Sequence, residues 1–571
     1  MSIEKKTYFG IDLGTTYSAI AFVNEHGKAE IIHNGINEPT TPSVVYFEEG
    51  NIKPAVGKNA KSGAAFSPES AKRVVDFVKR QMHNKDWTFE VDNKTYSPTE
   101  ISAIILRKVV EDAEDAGHKV KDVVITVPAY FGNEERERTR QAGSIIGLNV
   151  VEILDEPVAA ALSFGLEENM KGKNVIVYDL GGGTFDVTVV SIGSDPNKTE
   201  IKVVCTDGDH QLGGYNWDQR VVDYYLSEFR DQTGSEISKD TNENEYHETI
   251  YQLRLDAETD KQKLTDTQKL NRKITFDGNK AVIELTLEKF DEMTADLLER
   301  TFTQTDQLLE TAKQLGIATF DEFLLVGGST LMPQVEKKII EKYSKDPAFH
   351  DVKPKKFDVA GAVAKGAARE AEIVAIKRML TDGSGATGEV SPAPTHKEIQ
   401  GIADVTGKTF EEVENLIKTT TQKVATKSYG IRILKPIEIR TDESPTWIYN
   451  MILKNTPVPI SIKDDTFSAN QDHTTALALA VYANDSMKGT CELEDGTQIG
   501  EGDVPFELPQ MLNSGSPIAI RFDLDDQGNL LLYAEDLVHH QTKKAEFVVG
   551  LTEDEMTAAK DKVGQVGQIV R

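Results

Sequence analysis

One short pattern occurs twice in this chain and limits its folds more than any other feature. Gly10-Ile11-Asp12-Leu13-Gly14-Thr15-Thr16 returns as Tyr178-Asp179-Leu180-Gly181-Gly182-Gly183-Thr184-Phe185-Asp186. Each copy follows a short apolar run and precedes another, Ala19-Ile20-Ala21-Phe22-Val23 or Val187-Thr188-Val189-Val190. Both read as strand–turn–strand units. Turn glycines admit positive φ and let successive N–H groups point at one spot, and a concave set of amides binds an anion. The threonine hydroxyls add donors. The aspartates repel a phosphate unless a cation lies between, and Mg2+, which keeps its waters, suits carboxylate and phosphate oxygens together. One copy alone is an ordinary glycine hairpin; two in matching contexts are not explained that way. A third glycine turn, Val326-Gly327-Gly328-Ser329-Thr330, follows the apolar run Phe323–Val326 and precedes a helix near Gln334. It either approaches a nucleotide or opens the helix.

The 571 residues are enough for three or four domains. With 39% hydrophobic and 27% charged residues, the chain is neither collagen-like, disordered nor a disulfide scaffold. Its net charge of −29 repels phosphate backbones and anionic lipid, so no nucleic-acid or membrane partner is expected. Cys205 and Cys491 form no CxxC pair and read as two buried thiols in a reducing compartment. The first ten residues carry no signal-peptide run, and Ala476–Ala483 is too short to span a bilayer. A cytoplasmic protein is expected.

Up to about Met379 strand and helix signals alternate, as in α/β domains. Tyr8–Ile11, Val123–Val127, Val175–Tyr178 and Phe323–Val326 read as strands, and Ser97-Pro98-Thr99-Glu100 as a helix start with a capping box. Thr381–Pro394, rich in Gly, Ser, Pro and Thr, reads as a linker. Thr409-Phe410-Glu411-Glu412 is a second capping box, with Phe410, Val413, Leu416 and Ile417 on one face. From Tyr429 to Val549 short alternating runs are broken by turns such as Asp495-Gly496 and Asp526-Gln527-Gly528, the pattern of a β-sandwich. A last helix is capped by Thr552 and Glu555 and carries Met556, Ala559, Val563 and Val566.

Six motifs occur in order: Asp12-Leu13-Gly14-Thr15-Thr16-Tyr17-Ser18, Val127-Pro128-Ala129-Tyr130-Phe131, Asp155-Glu156-Pro157, the second glycine hairpin, Gly208-Asp209-His210-Gln211-Leu212-Gly213-Gly214, and Leu325-Val326-Gly327-Gly328-Ser329-Thr330. Together they resemble the heat-shock-protein-70 (DnaK-like) chaperone family. The resemblance covers the first region and, more weakly, the β-region. It implies an α/β actin-like two-lobed ATPase domain over 1–379, a polar linker with short helices over 380–426, an antiparallel β-sandwich that binds peptide over 427–549, and a short C-terminal helix over 550–571, a remnant of a lid.

Residue by residue, Lys79 resembles the family's catalytic lysine, which orients the attacking water and stabilises the transferring phosphoryl group; Lys72-Arg73 is a competing alignment, and a surface helix lysine the plain alternative. Glu156 would hold a metal-bound water. Asp12 and Asp179 complete the catalytic set, and Asp12, Asp179, Asp186 and Glu156 would organise Mg2+, mostly through water, with K+ a further candidate. ATP and ADP would touch Gly14, Thr15, Thr16, Tyr17, Gly181, Gly182, Gly183, Thr184, Gly213, Gly214, Gly327, Gly328 and Ser329. Asp358 joins that set, as do Glu258, Lys261 and Thr265 on the adenosine side, for which a solvated helix face is the rival reading. Pro128 and Arg136 resemble a proline switch and its arginine relay. Ile431, Leu434, Phe467, Leu477, Leu479 and Val481 would line a pocket for an extended peptide, or simply form sandwich core.

Four features depart from the family pattern. Gln262 and Leu331 replace two arginines that sandwich adenine, each contact contributing about 0.5–2 kcal/mol. The short leucine-rich acidic linker is replaced by Thr381–Thr426. The lid is reduced to about one helix, so peptide release should be fast. Glu152 stands where the bacterial family carries an arginine used for J-domain cochaperones. The expected function is an ATP-dependent chaperone of low turnover, linked to protein folding and stress response. It would act as a monomer on unfolded or extended polypeptides, with a J-domain cochaperone and a nucleotide exchange factor as partners. The alternatives are a nucleotide-binding scaffold of a chaperone complex with weak or no hydrolysis, and a sugar kinase or filament former, against which the appended sandwich argues.

Overall fold

The structure is a computed structural model that describes residues 7–51, 53–63, 68–168, 170–195, 198–349, 353–384, 394–441, 444–499, 504–546 and 551–567. The two glycine hairpins occupy matching places in two sheets. Phe9–Leu13 pairs antiparallel with Tyr17–Val23 and parallel with Asp122–Val127, inside a six-stranded sheet. Asn174–Leu180 pairs antiparallel with Phe185–Ile192 and parallel with Glu322–Val326, inside a seven-stranded sheet. The parallel strands are near-continuous apolar runs because both faces are covered.

Two helices, Glu156–Glu168 and Ala362–Ser384, pack against one another, and their apolar residues share one core with both sheets. Alanines allow the close crossing, and Gly366 is required: a Cβ there would fall 1.8 Å from the Ala159 carbonyl oxygen. The long helix runs to Ser384, beyond the expected boundary at 379. Ser97 caps the helix Pro98–Asp115 through the reciprocal bonds expected of Ser97 and Glu100.

The β-region forms a five-stranded and a four-stranded antiparallel sheet, with a separate strand pair Thr474–Leu479 and Val504–Leu512. Its core includes Tyr429, Ile431, Val481, Phe522 and Leu532. Gly528, at φ 88°, makes the turn between Pro517–Leu524 and Leu530–Asp536.

Three findings alter the expected organisation. Most of the Gly/Ser/Pro-rich run, 385–393, lies outside the described residues. Behind it come two short helices, His396–Thr406 and Phe410–Lys418, and then a strand, Thr420–Val424, that adds parallel to Glu200–Asp209 and lies next to last in the seven-stranded sheet. Its sequence, TTQKV, has no apolar alternation, so nothing local marks it as a strand. The last helix, Glu553–Gly567, is capped by Thr552 and Glu555 as expected. It does not cover the sandwich: Met556, Ala559 and Val563 pack into the core of the first sheet, against Pro98–Asp115 and Asn133–Ile145. The Val566 side chain lies outside the described residues. Finally, Cys205 is buried, with its thiol pushed up to about 12 by burial, whereas Cys491 is only half-buried. Among the described residues no helix is long and apolar enough to cross a membrane.

Candidate functional site

The two glycine turns meet face to face. A Cβ added at Gly182 would fall 2.2 Å from Thr16 Oγ1, and one at Gly183 would fall 2.3 Å from Thr15 Cγ2. Only glycine permits this approach. Among the described residues, the backbone amides of Thr15, Thr16, Gly182 and Gly183 donate no hydrogen bond to a backbone or side-chain group. Amides gathered at one contact with no protein acceptor are donors available to an anion. The carbonyl side of the second turn is already engaged: Gly214 N donates to Gly181 O (2.9 Å), Tyr215 N to Gly182 O (2.7 Å) and Ser329 Oγ to Gly181 O (3.0 Å). The third glycine turn backs the second hairpin, where Gly327 takes φ 82° and a Cβ would fall 2.5 Å from Asp179 Oδ1.

Lys79 lies in a short 3-10 turn, Val78–Gln81, entered through Phe77 at φ 52°. The turn buries the lysine, 5% exposed, and Nζ donates to Glu156 Oε1 at 2.5 Å. Asp12, Asp179 and Asp186 face this pair. Burial, then the Glu156 charge, pushes Asp12 up to about 7, and the same two effects, with neighbouring aspartates added, push Asp179 and Asp186 well above the usual carboxylate range. Lys79 opposes the shift in each case. Thr126 Oγ1 lies 3.3 Å from Asp12 Oδ1, and Ala129 N donates to Asp186 Oδ1 at 3.2 Å. Four carboxylates around one ammonium are short of positive charge, and a divalent cation fits that deficit. Among the described residues no three His, Cys, Asp or Glu side chains are grouped to ligate one ion directly.

Not every sequence candidate converges. Glu258 accepts from Tyr17 OH (2.8 Å) and pairs with Lys61, which, against the pull of burial, holds its carboxyl below the usual value. Lys261 donates to Gly214 O (3.0 Å) and pairs with Asp218 (2.7 Å). Thr265 instead bonds Gln262 O near the end of its helix, and Asp358, at φ 37°, pairs with Lys365 (2.6 Å). Neither contacts the glycine turns through these bonds. Leu331 is 43% exposed, and Gln262 is exposed too. The peptide-pocket set also divides. Ile431 and Val481 are enclosed in the sandwich core, a correction to the expectation that they open onto a pocket. Leu434 is exposed, and Phe467, Leu477 and Leu479 are half-buried. The inward side of their strands was indistinguishable in sequence from a groove face.

Pro128 and Arg136 sit between the site and the sandwich. Phe131 N donates to Pro128 O (3.1 Å), and Arg136 Nε donates to Phe131 O (2.9 Å) while its guanidinium pairs with Asp155. Thr426 Oγ1 donates to the same Phe131 carbonyl (3.2 Å), and Tyr429 OH to Asn133 (3.1 Å). Lys79, Tyr130 and Phe131 line a cavity of about 360 Å3 whose other wall is the sandwich, with Tyr429 and Asn484. Sequence reasoning missed Arg80, which donates to Gly183 O (2.8 Å) and Asn216 (3.1 Å); its place beside Lys79 was the available signal. It also missed the partner of Glu152. That carboxylate is buried and paired with Lys423 of the added strand at 2.6 Å. The Glu152 charge is thus neutralised within the chain.

The fold and site together define a mixed α/β protein whose duplicated hairpin turns meet near a buried Lys79–Glu156 pair. A family model described as Hsp70 protein matches residues 8–382. The chain is 34% identical over 554 residues to the chaperone protein DnaK of Thermosipho africanus, covering 94% of this chain and 79% of that one. It is 32% identical to the chaperone protein DnaK of Thermosipho melanesiensis over 554 residues, and 32% to that of Thermotoga petrophila over 548, each with the same shares covered. The chain belongs to the Hsp70 family.

Proposed function

We propose that this protein is an ATP-dependent molecular chaperone, an actin-like two-lobed ATPase that couples Mg·ATP hydrolysis to binding and release of extended apolar polypeptide. The observation that carries the reading is the meeting of two hairpin turns with idle amides beside the buried Lys79–Glu156 pair. The amides of Thr15, Thr16, Gly182 and Gly183 would hold phosphate oxygens. Water attacks the γ-phosphorus; the bond from that phosphorus to the bridging oxygen breaks, ADP leaves with the electron pair, and the water's proton passes to the released phosphate. Lys79 orients the water and meets the charge that develops on the equatorial oxygens. Glu156 fixes the ammonium. Mg2+, when bound, neutralises phosphate charge; Asp12, Asp179 and Asp186 would hold its waters.

The path from Asp186 through Ala129, Pro128 and Phe131 to Thr426 supports a mechanical link between cleft and sandwich. Coupling of this kind is reciprocal, so peptide must alter nucleotide affinity as nucleotide alters peptide affinity. Single-turnover hydrolysis is the test. Lys79→Ala should lower the rate about 10²–10³-fold while ADP binding by calorimetry persists, and an apolar heptapeptide should stimulate the wild type. A variant as active as wild type removes the reading. The second reading, a nucleotide-binding scaffold with little hydrolysis, draws on exposed Gln262 and Leu331. It predicts ATP binding without turnover, unaffected by Lys79→Ala.

A further inference from the structure

The two short helices before the added strand are tied down far more than a connector requires. Thr395 with Glu398 and Thr409 with Glu412 form complete capping boxes. Ile399, Ile402, Ala403 and Val413 are buried together with Ile376 of the long helix, and His396 stacks on Phe410 at 4.3 Å. Lys408 pairs with Glu372 at 2.6 Å, and Glu372 is 1% exposed. Lys377 donates to the Thr419 carbonyl at 2.6 Å. Leu416 packs against the core between the sheets, to which Val424 belongs.

What this pair delivers is the strand Thr420–Val424. The second helix ends at Lys418, and only Thr419 separates it from the strand. The strand is bonded on both edges. Glu200–Lys202 pairs with Thr420–Gln422 in parallel, and Lys423-Val424 pairs antiparallel with Pro457-Val458 of the β-region. One sheet therefore runs from the cleft into the sandwich. Lys423, 4% exposed, closes on Glu152 at the centre of this join.

We propose that the helix pair is an intramolecular clamp that holds the strand Thr420–Val424 in the sheet, and with it the sandwich on the ATPase-like region, whether or not nucleotide is bound. A folded pair leaves one residue of slack. An unfolded pair would leave a tether of about 35 residues (385–419), and because the effective concentration of a tethered group falls roughly as the 3/2 power of tether length, docking would weaken on the order of 100-fold. Any signal between cleft and sandwich then passes through the docked contact, by way of the Pro128–Phe131 segment, not through release of the strand.

The test is amide hydrogen exchange on the full-length protein, read on peptides spanning 419–426, without nucleotide and with ADP or ATP. Wild type should protect these amides in all three conditions, with rates agreeing within about threefold. Val413→Asp, which puts a charge among the buried aliphatics, should speed their exchange on the order of 100-fold while the hairpin 174–192 keeps its protection. If Val413→Asp unfolds more than the pair, replacing 395–418 by a Gly/Ser segment of equal length gives the same readout. Rapid exchange of 420–424 in the wild type without nucleotide overturns the clamp. So does unchanged protection after the pair is removed. Neither outcome depends on whether the protein hydrolyses ATP.

Discussion

Lys79 and Glu370 show how individual residues take on properties that their neighbours in sequence do not suggest. Val78-Lys79-Arg80-Gln81 could belong to any exposed helix, yet the 3-10 turn after Phe77 turns Lys79 inward onto Glu156. Removing one partner of a buried pair leaves the other charge uncompensated, at about 3–5 kcal/mol. Lys79→Ala, which takes the one ammonium away from the carboxylates of Asp12, Glu156, Asp179 and Asp186, should therefore destabilise the protein by that order in urea titration, well beyond a surface change. Glu370 is a buried carboxyl with one oxygen, Oε2, that has no hydrogen-bond partner. Burial and the nearby Glu152 push it up to about 8, against Lys423 and Lys377. The folded state thus keeps a proton that the unfolded state has already released. The resulting penalty is absent below the ordinary value of 4.5, grows as pH rises, and is complete above about 8. Glu370→Gln should raise the melting temperature at pH 9, with the gain vanishing near pH 4.5. An equal shift at both pH values would contradict this origin.

At the scale of elements, the hairpins, the capped helices and the alternating β-region were legible because each carries its period or its cap within a few residues. Thr420–Val424 was not, since a strand held by backbone bonds to a neighbour on each side needs no apolar alternation. The final helix was legible as a helix, but its place was not. An amphipathic face specifies that something must cover it, not what. Here Val563 is fully buried against the first sheet's helices, Lys562 pairs with Glu100 at 2.7 Å, and Gln141 exchanges bonds of 2.9 and 2.7 Å with Leu551. Val563→Asp should release this helix, so trypsin should cut after Lys560 and Lys562 at least tenfold faster, given that burying an unpaired charge costs several kcal/mol. Peptide release from the sandwich should not change, because the helix does not lie over it.

At the scale of the whole molecule, the sandwich is held by contacts from several directions. Thr206 N donates to Asn455 (3.1 Å), Lys454 pairs with Asp207 (3.0 Å), Arg140 reaches Gln527 (3.2 Å), and Lys423 joins Glu152. Glu152→Lys would set two cations together in a buried site. It should separate the sandwich from the rest and increase the radius of gyration by small-angle scattering. Adding Lys423→Glu restores opposite charges and should recover the compact radius. Failure of the double change to recover it would mean that the pair does not set the docking.

The sequence alone determined the glycine hairpins, the carboxylates beside them, the caps and the change from α/β to all-β pattern, because these depend on residues that are neighbours along the chain. Tertiary structure alone decided that the two turns touch, that Lys79 is buried on Glu156, that Ile431 and Val481 face the core, and that Lys423 neutralises Glu152. Each of these pairs residues far apart in sequence. Burial and charge compensation belong to the packed molecule, and no local pattern encodes them.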